Sequence, residues 1–169
     1  LQEKIEFMRA HPAPSGGGFF KELEHMHLTG LKFGLAFPRL SRVASWVFHA
    51  SPNDPLLGEL RAELRSRVSA NHRRILEQGQ QAGDVRKDID LDAATDFLVA
   101  VNQNAVSFAL ERKLGVDLIE LCARPELAAS FDETEQRRLV GAMIDIARIG
   151  LGSGKTDHEE RRVIDLQDL

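Results

Sequence analysis

The sequence predicts an all-α protein, a bundle of long helices joined by short loops. Apolar residues recur three and four positions apart in almost every segment, which is the spacing of one face of an α-helix. No segment shows a convincing alternation of β-branched apolar and polar residues, the pattern of a half-buried strand. With 169 residues the chain is long enough for one sizeable core.

The first three helices are predicted from the proline and glycine residues that bound them. Residues 1–9 form a helical segment that ends at the run 11–18, whose prolines and glycines cannot continue a helix. A second helix is predicted over residues 19–37. A third is predicted over residues 38–50, because Pro38 suits the first turn of a helix.

A long helix over residues 55–82 carries one apolar stripe and is followed by a sharp corner. Gly83 stands where a helix closes with a left-handed residue. Asp90 or Asp92 then offers a carboxylate to the free N–H groups that open a helix over residues 91–113.

The rest of the chain is predicted as a short helix, a long helix and a tail. The short helix covers residues 116–122 and is broken by Pro125. The acidic run 131–135 opens the last long helix at its positive end. Residues 1–151 therefore form one helical domain, and residues 152–169 form a polar tail.

The composition restricts the classes of partner. The chain has 22 basic and 26 acidic side chains, a net charge of -4, which is the wrong sign for a surface that binds a phosphate backbone. A lone cysteine, Cys122, can form neither an internal disulfide nor a cysteine-based metal site, which fits a reducing cytoplasm. There is no apolar run of bilayer length and no signal-peptide pattern, so no membrane partner is expected.

Both the helix over residues 91–113 and the last long helix have apolar residues around more of their circumference than one stripe. We expect a homodimer in which these helices, two from each chain, form a four-helix bundle. Burial of both helices within a single chain is the alternative. The residues predicted at the dimer interface are Phe97, Val101, Ala105, Phe108, Leu139, Ala142, Met143, Ile146 and Ala147.

A few polar residues and glycines interrupt apolar stripes and are the candidates for a ligand site. Asn71 is predicted on the buried stripe of its helix with His72 at the edge, and His27 lies among apolar residues of the second helix. A buried amide or imidazole must find a hydrogen-bond partner, which is either a neighbouring carbonyl, a buried water or a ligand. Gly30 and Gly34 remove side-chain volume for either a close helix crossing or a pocket.

Together these positions predict a pocket for a mostly apolar or aromatic small molecule. Each one taken alone is more often a core residue than a ligand contact. The predicted ligand-binding residues are His27, Gly30, Phe33, Gly34, Trp46, His49, Asn71, His72 and Asn102.

Motifs for catalysis, cofactors and metals are lacking. The run 152–156 resembles the end of a phosphate-binding loop, but Ile149 stands where that motif needs a glycine and a helix precedes it. His25 and His27, two residues apart on a helix, cannot share a metal. We therefore expect no catalytic residues, no cofactor and no metal.

The corner after the long helix resembles that of a known family. The order is a basic and apolar helix end at residues 73–76, then Gly83-Asp84-Val85-Arg86, then Asp88-Ile89-Asp90 and a helix start with small residues. This order closely resembles the effector-binding half of the tetracycline-repressor (TetR) family of bacterial transcriptional regulators. Pro38, opening a helix after a segment rich in phenylalanine, is a second matching feature. The resemblance extends over about residues 19–150.

The resemblance implies a ligand-sensing and dimerisation domain. It would bind a small-molecule effector inside the bundle and dimerise through its penultimate and last long helices. In such regulators, most simply repressors, the effector changes the affinity for a DNA operator. The chain begins at Leu1 in helical rhythm, so we expect that a helix-turn-helix domain upstream binds the DNA. The rival interpretations are a structural helical interaction module without a ligand, and a cofactor-free helical enzyme that uses the region of His27 or His72.

Overall fold

The computed structural model of the chain describes residues 2–12, 16–124, 126–127 and 131–154. Of the helical residues, the side chains at 2, 5, 103, 105–110, 112–114, 118–119 and 122 lie outside this description. The described part contains seven helices: α1 (Gln2–Ala10), α2 (Gly18–Ala36), α3 (Pro38–His49), α4 (Gly58–Ala82), α5 (Leu91–Leu114), α6 (Leu118–Ala123) and α7 (Glu133–Leu151).

The all-α prediction is confirmed, and the described residues contain no strand beyond an isolated antiparallel bridge between Val85 and Gly152. None of the helices in the described part is long and apolar enough to cross a membrane. The predicted tail 152–169 can be followed only to Gly154, since residues 155–169 lie outside the described ranges.

The helix ends follow the predicted local chemistry. Gly83 has a φ of 83° and closes α4 in the left-handed conformation, which a residue without a Cβ adopts at little cost. Asp90, rather than Asp92, caps α5 by accepting the backbone N–H groups of residues 92 and 93. Pro38 occupies the first turn of α3, as predicted.

One helix starts later than predicted. Pro55 was expected in the first turn of α4, but the helix begins at Gly58. The Asp54 carboxylate accepts the N–H groups of Leu56 and Leu57 at 2.9 and 2.8 Å, which holds these residues in a turn ahead of the helix.

The core lies between α2, α4, α5 and α7, with α2 packed against both α4 and α7. Leu23 of α2, Leu76 of α4 and Val140 of α7 have no exposed surface. The buried apolar cluster consists of Phe19, Phe20, Leu23, Leu28, Leu31, Ile75, Leu76, Val85, Ala94, Leu98, Val116, Leu121, Phe131, Val140, Ile144, Ala147 and Leu151.

The Gly-Asp-Val-Arg corner joins three parts of the fold. The Asp84 carboxylate accepts the Phe19 N–H at 2.8 Å, so it holds the first turn of α2. The Asp84 carbonyl accepts the Ser153 N–H at 3.0 Å, and Val85 pairs with Gly152 just after α7. The corner therefore fixes the end of α4 to the start of α2 and the end of α7, which explains why these residue types follow one another.

Candidate ligand site and exposed apolar face

His27 of α2 and His72 of α4 are buried histidines, with 5% and 2% of their surface exposed. Nδ1 of each lies 2.8 Å from the carbonyl oxygen four residues earlier, Leu23 for His27 and Val68 for His72. A carbonyl oxygen can only accept, so Nδ1 carries the proton in both rings and Nε2 presents a lone pair. No donor in the described part of the protein reaches either Nε2 atom.

The two imidazoles lie near each other across the α2–α4 contact. Asn71, next to His72, donates from Nδ2 to Sδ of Met26, next to His27, at 3.5 Å. Burial lowers the pKa of His27, and the charge that His72 would carry lowers it further, whereas the bond to Leu23 raises it. Burial likewise lowers the pKa of His72, against the bond to Val68. Both rings are thus held in the neutral form.

Gly30 and Gly34 of α2 differ in their surroundings. A Cβ built on Gly30, one turn after His27, would meet no heavy atom of another element within 4 Å. A Cβ on Gly34 would lie 3.5 Å from Oγ of Ser41 on α3, an ordinary packing contact. Gly34 thus belongs to the α2–α3 crossing, while Gly30 borders open space on the His27 side of the helix.

Helix α1 brings a positive charge to the histidines. Phe7 anchors this helix by edge contacts with Phe33 and Phe37 of the α2–α3 corner, at centroid distances of 5.5 and 5.9 Å. Lys4, one turn before Phe7, is close enough for its charge to lower the pKa of both His27 and His72. The Lys4 side chain retains solvent contact, yet surrounding protein atoms desolvate its ammonium and lower its pKa as well.

The structure separates the other predicted ligand residues from this pair. Asn71 is exposed, so its predicted place on a buried stripe is wrong; the apolar stripe of α4 turns His72, Ile75 and Leu76 inward instead. Trp46 is 66% exposed and lines a groove of about 320 Å³ on α3 with Arg39, Arg42 and Val43.

Three further predicted residues take other places in the fold. His49 is exposed at the end of α3 and bonds to the Ser45 carbonyl at 2.8 Å. Phe33 is buried among the rings that seat α1. Asn102 is half-buried on α5, and no described contact joins it to the imidazoles.

Lys4 is the member of the site that sequence reasoning missed. The sequence does show that Lys4 and Phe7, three residues apart, share a face of one helix, so an anchored Phe7 would carry Lys4 with it. Nothing in the sequence shows where a first helix of nine residues docks, so its lysine could not be assigned to the histidines.

The predicted dimer face is largely exposed in the single chain. Phe97 of α5 and Ile146 of α7 are 44% and 64% exposed, and neighbouring Ile149 is 81% exposed. Ala142 is exposed, while Val101, Leu139 and Met143 are half-buried. Ala147 is 2% exposed and packs in the core of its own chain, so it does not belong to this face. The side chains of Ala105 and Phe108 lie outside the described part.

The described residues contain no group of three or more histidine, cysteine, aspartate or glutamate side chains placed to hold a metal ion. His27 and His72 form a pair of nitrogen acceptors with a cation, Lys4, beside them. Such a pair suits the hydrogen-bond donors of an organic ligand.

Comparison with solved structures finds a similar fold in the crystal structure of a TetR family transcriptional regulator from Chloroflexus aurantiacus J-10-FL. The TM-score is 0.72 at 25% sequence identity, and the match covers 89% of this chain and 67% of that chain. No protein-family model matches the chain. No curated protein matches it with significance. The all-α fold is therefore TetR-like.

Proposed function

We propose that this chain is the ligand-sensing and dimerisation domain of a TetR family transcriptional regulator, with its effector site at His27 and His72. The structural likeness to a regulator over 89% of the chain supports the class. The observation that carries the sensing role is the pair of buried imidazoles whose Nε2 atoms have no donor among the described residues. A buried acceptor without a donor destabilises the protein by about 1–3 kcal/mol. A ligand that donates to such an acceptor removes this penalty and binds more tightly for it.

The regulatory step requires two conformations of one dimer. An effector that favours one of them, and an operator that favours the other, oppose each other through that equilibrium. We propose that DNA is bound through a helix-turn-helix domain outside these residues, since the chain itself has a net charge of -4. The protein would then act as a repressor in the cytoplasm, released from its operator by the effector.

We propose that helices α2 and α4 convey the change. The histidines lie on α2 and α4, and the Gly-Asp-Val-Arg corner fixes both of these helices to the end of α7. A ligand that alters the packing between α2 and α4 therefore acts on an element that also carries the exposed apolar face.

Thermal stabilisation by a panel of small apolar and aromatic molecules tests the sensing role. We expect that molecules which raise the melting temperature of the wild type lose this effect with His27→Leu or His72→Leu. The matched control is His49→Leu, the same change at an exposed histidine, which should retain the response. A response lost only with His49→Leu would move the site to α3, and the absence of any response would favour a scaffold without a ligand.

We propose that the exposed face formed by Phe97, Ala142, Ile146 and Ile149 is the homodimer interface. Large apolar side chains grouped on two adjacent long helices are typical of a surface that another subunit covers. Half-buried Val101, Leu139 and Met143 border it.

Sedimentation equilibrium of charge variants tests this interface. Ile146→Glu should weaken dimerisation by about thirtyfold or more, the loss typical of a central interface residue. Val43→Glu is the matched control, since Val43 is 57% exposed on α3 and the change is of the same kind. Dimerisation lost with Val43→Glu and kept with Ile146→Glu would assign the interface to α3.

A further inference from the structure

We propose that the effector is a weak organic acid, a molecule with an apolar body and a carboxylic acid head group that lies between His27, His72 and Lys4. This inference rests on the proposed function and names the chemical class of the ligand. It follows from three features of the site: the tautomer of the imidazoles, the sign of the neighbouring charge and the open space beside Gly30.

The tautomer sets the direction of the hydrogen bonds. Because Nδ1 of both His27 and His72 donates to a backbone carbonyl, each Nε2 can only accept while its ring is neutral. A ligand that only accepts, such as a ketone, an ether or a fully ionised carboxylate, would leave these lone pairs unsatisfied. The ligand must therefore bring a proton with its head group.

The neighbouring charge decides between the possible proton donors. Alcohols, amines and acids can all donate to Nε2, but the ammonium of Lys4 acts on both imidazoles. A protonated amine would be repelled by that ammonium, while an acid shares its proton with Nε2 and leaves negative charge on oxygen. Lys4 stabilises that negative charge, so an acid is favoured over an alcohol and strongly favoured over an amine.

No described carboxylate is among the groups that shift the pKa values of the two imidazoles. The pKa values of both His27 and His72 are shifted by burial, by a backbone carbonyl and by Lys4, and that of His27 also by His72. The charged residues of α7 that approach α2 are engaged elsewhere: Glu133 pairs with Lys32 and Arg137, and Arg148 stacks on the Phe20 ring. On α4, Arg73 pairs with Glu77 and with Asp92 of α5 at the surface, and on α6 Glu120 pairs with Arg124.

The space beside Gly30 suits the apolar body. It begins one helical turn from His27 on α2, at the half-buried Gly30, where a Cβ would meet no other heavy atom within 4 Å. We propose that the ligand places its head group at the imidazoles and its body along α2 beside Gly30.

Proton balance gives the inference a measurable signature. Near neutral pH a carboxylic acid is ionised in water. Its carboxylate must therefore take one proton from solvent before a hydrogen bond can form with the Nε2 of a neutral imidazole. The proton either stays in the O–H bond and is donated to one of the two Nε2 atoms, or the O–H bond breaks and one Nε2–H bond forms beside a carboxylate. Both descriptions require one proton taken up for each ligand bound, so affinity falls about tenfold for each unit of pH above about 6.5.

Isothermal titration calorimetry with matched probes tests the proposal on the wild-type chain. Octanoate, octanol and octylamine share one body, and phenylpropanoate, phenylpropanol and phenylpropylamine share another. The acid of each set should bind tightest at pH 6.5, with proton uptake visible as a dependence of the binding enthalpy on the ionisation enthalpy of the buffer. The alcohol should bind more weakly and without dependence on pH, and the amine weakest.

Three variants assign the effect to the site. His27→Gln and His72→Gln replace Nε2 by an amide that donates without taking up a proton, so at least one of them should abolish the pH dependence of acid binding. Lys4→Gln should weaken acid binding by about tenfold or more and weaken alcohol binding much less, because an alcohol develops little negative charge on its oxygen. Lys21→Gln is the control, a like change at an exposed lysine of α2.

The outcomes separate this inference from the proposed function. If the amine binds as tightly as the acid, or if acid binding is independent of pH in the wild type, the acid inference is wrong. If only alcohols or amines bind, and the binding needs His27, the sensing role stands without the acid. If neither these six probes nor the wider panel binds, both proposals fail.

Discussion

The same two helices, α2 and α4, pack very differently at their two ends. Near the Gly-Asp-Val-Arg corner they are in close contact: a Cβ on Gly79 of α4 would lie 2.7 Å from Val85 and 2.8 Å from the Phe19 ring. Two turns along, at the open end near His27 and His72, two buried acceptors have no donor among the described residues and Gly30 faces open space. A bundle optimised for stability alone would be packed throughout, so the difference supports the proposal that one end maintains the fold and the other receives a ligand.

At the packed end, the end of α2 and α4 near the Gly-Asp-Val-Arg corner, polar groups also find hydrogen-bond partners. The Asp84 carboxylate, the Ser153 amide and the Ser153 hydroxyl are each bonded to another segment of the chain, the hydroxyl to the Gly83 carbonyl at 2.6 Å. Ligand sites are commonly drawn from the less stable parts of a protein, because part of their stabilisation comes with the ligand.

Truncation of the core at the packed end should have the largest effect. Leu76→Ala removes a fully buried side chain from the core. Because closely packed neighbours relax only partly into the cavity that remains, we expect a loss of about 2–5 kcal/mol in the free energy of unfolding. Urea denaturation followed by circular dichroism measures it. Leu60→Ala on the same helix, where the side chain is 44% exposed, should cost far less. Equal losses at the two positions would contradict the contrast.

Gly79→Ala should be the second largest effect. The new methyl group would meet Val85 and Phe19 at distances that real Cβ atoms essentially never show, and relief requires movement of the corner that joins α4 to α2 and α7. We expect a loss of about 1–3 kcal/mol, as is usual for overpacking, even though alanine is the better helix former. A Gly79→Ala variant as stable as the wild type would show that the corner yields easily.

The sequence predicted the packed end well because its information is local. Gly83 needs a left-handed conformation and Asp90 caps the next residues, so both assignments depend only on neighbours in the chain. The fold class and the helix bounds, to within about three residues, follow from periodicity and such caps.

The open end was predicted only in part, because its geometry depends on the rotation and docking of helices. Asn71 and His72 are adjacent on α4, and periodicity could not decide which of them turns inward. Lys4 lies near enough to the histidines for its charge to act on them, and α1, which carries it, is packed through Phe7 against Phe33 and Phe37. Trp46 lies on an exposed face of α3, although tryptophan is usually mostly buried.

The buried histidines should make the stability of the open end depend on pH. Both have a pKa below the ordinary value of 6.5, so below about pH 6.5 the unfolded chain takes up protons that the folded protein does not. The stability they maintain is complete above pH 6.5 and is lost as the pH falls from 6.5 toward their lowered values. Each contributes at most about 1.4 kcal/mol for each pH unit of that window.

Comparison of variants isolates this contribution from that of the carboxylates. The double variant His27→Leu, His72→Leu should show a smaller decrease in the free energy of unfolding between pH 6.5 and 5.5 than the wild type, by urea denaturation at each pH. His49→Leu, at an exposed position, should behave as the wild type. If the double variant loses as much stability as the wild type, the imidazoles are not held neutral by burial.

Gly30→Ala should have the smallest effect on stability, and with the opposite sign to Gly79→Ala. Since a Cβ at Gly30 meets nothing within 4 Å, the gain in helix propensity is unopposed and should raise the free energy of unfolding by about 0.5–1 kcal/mol. Gly30→Leu would extend a side chain into the same space, and it should keep the fold while weakening any ligand whose binding needs His27. Stability is measured by urea denaturation and binding by calorimetry, and undiminished binding with Gly30→Leu would mean that the ligand occupies another side of the imidazoles.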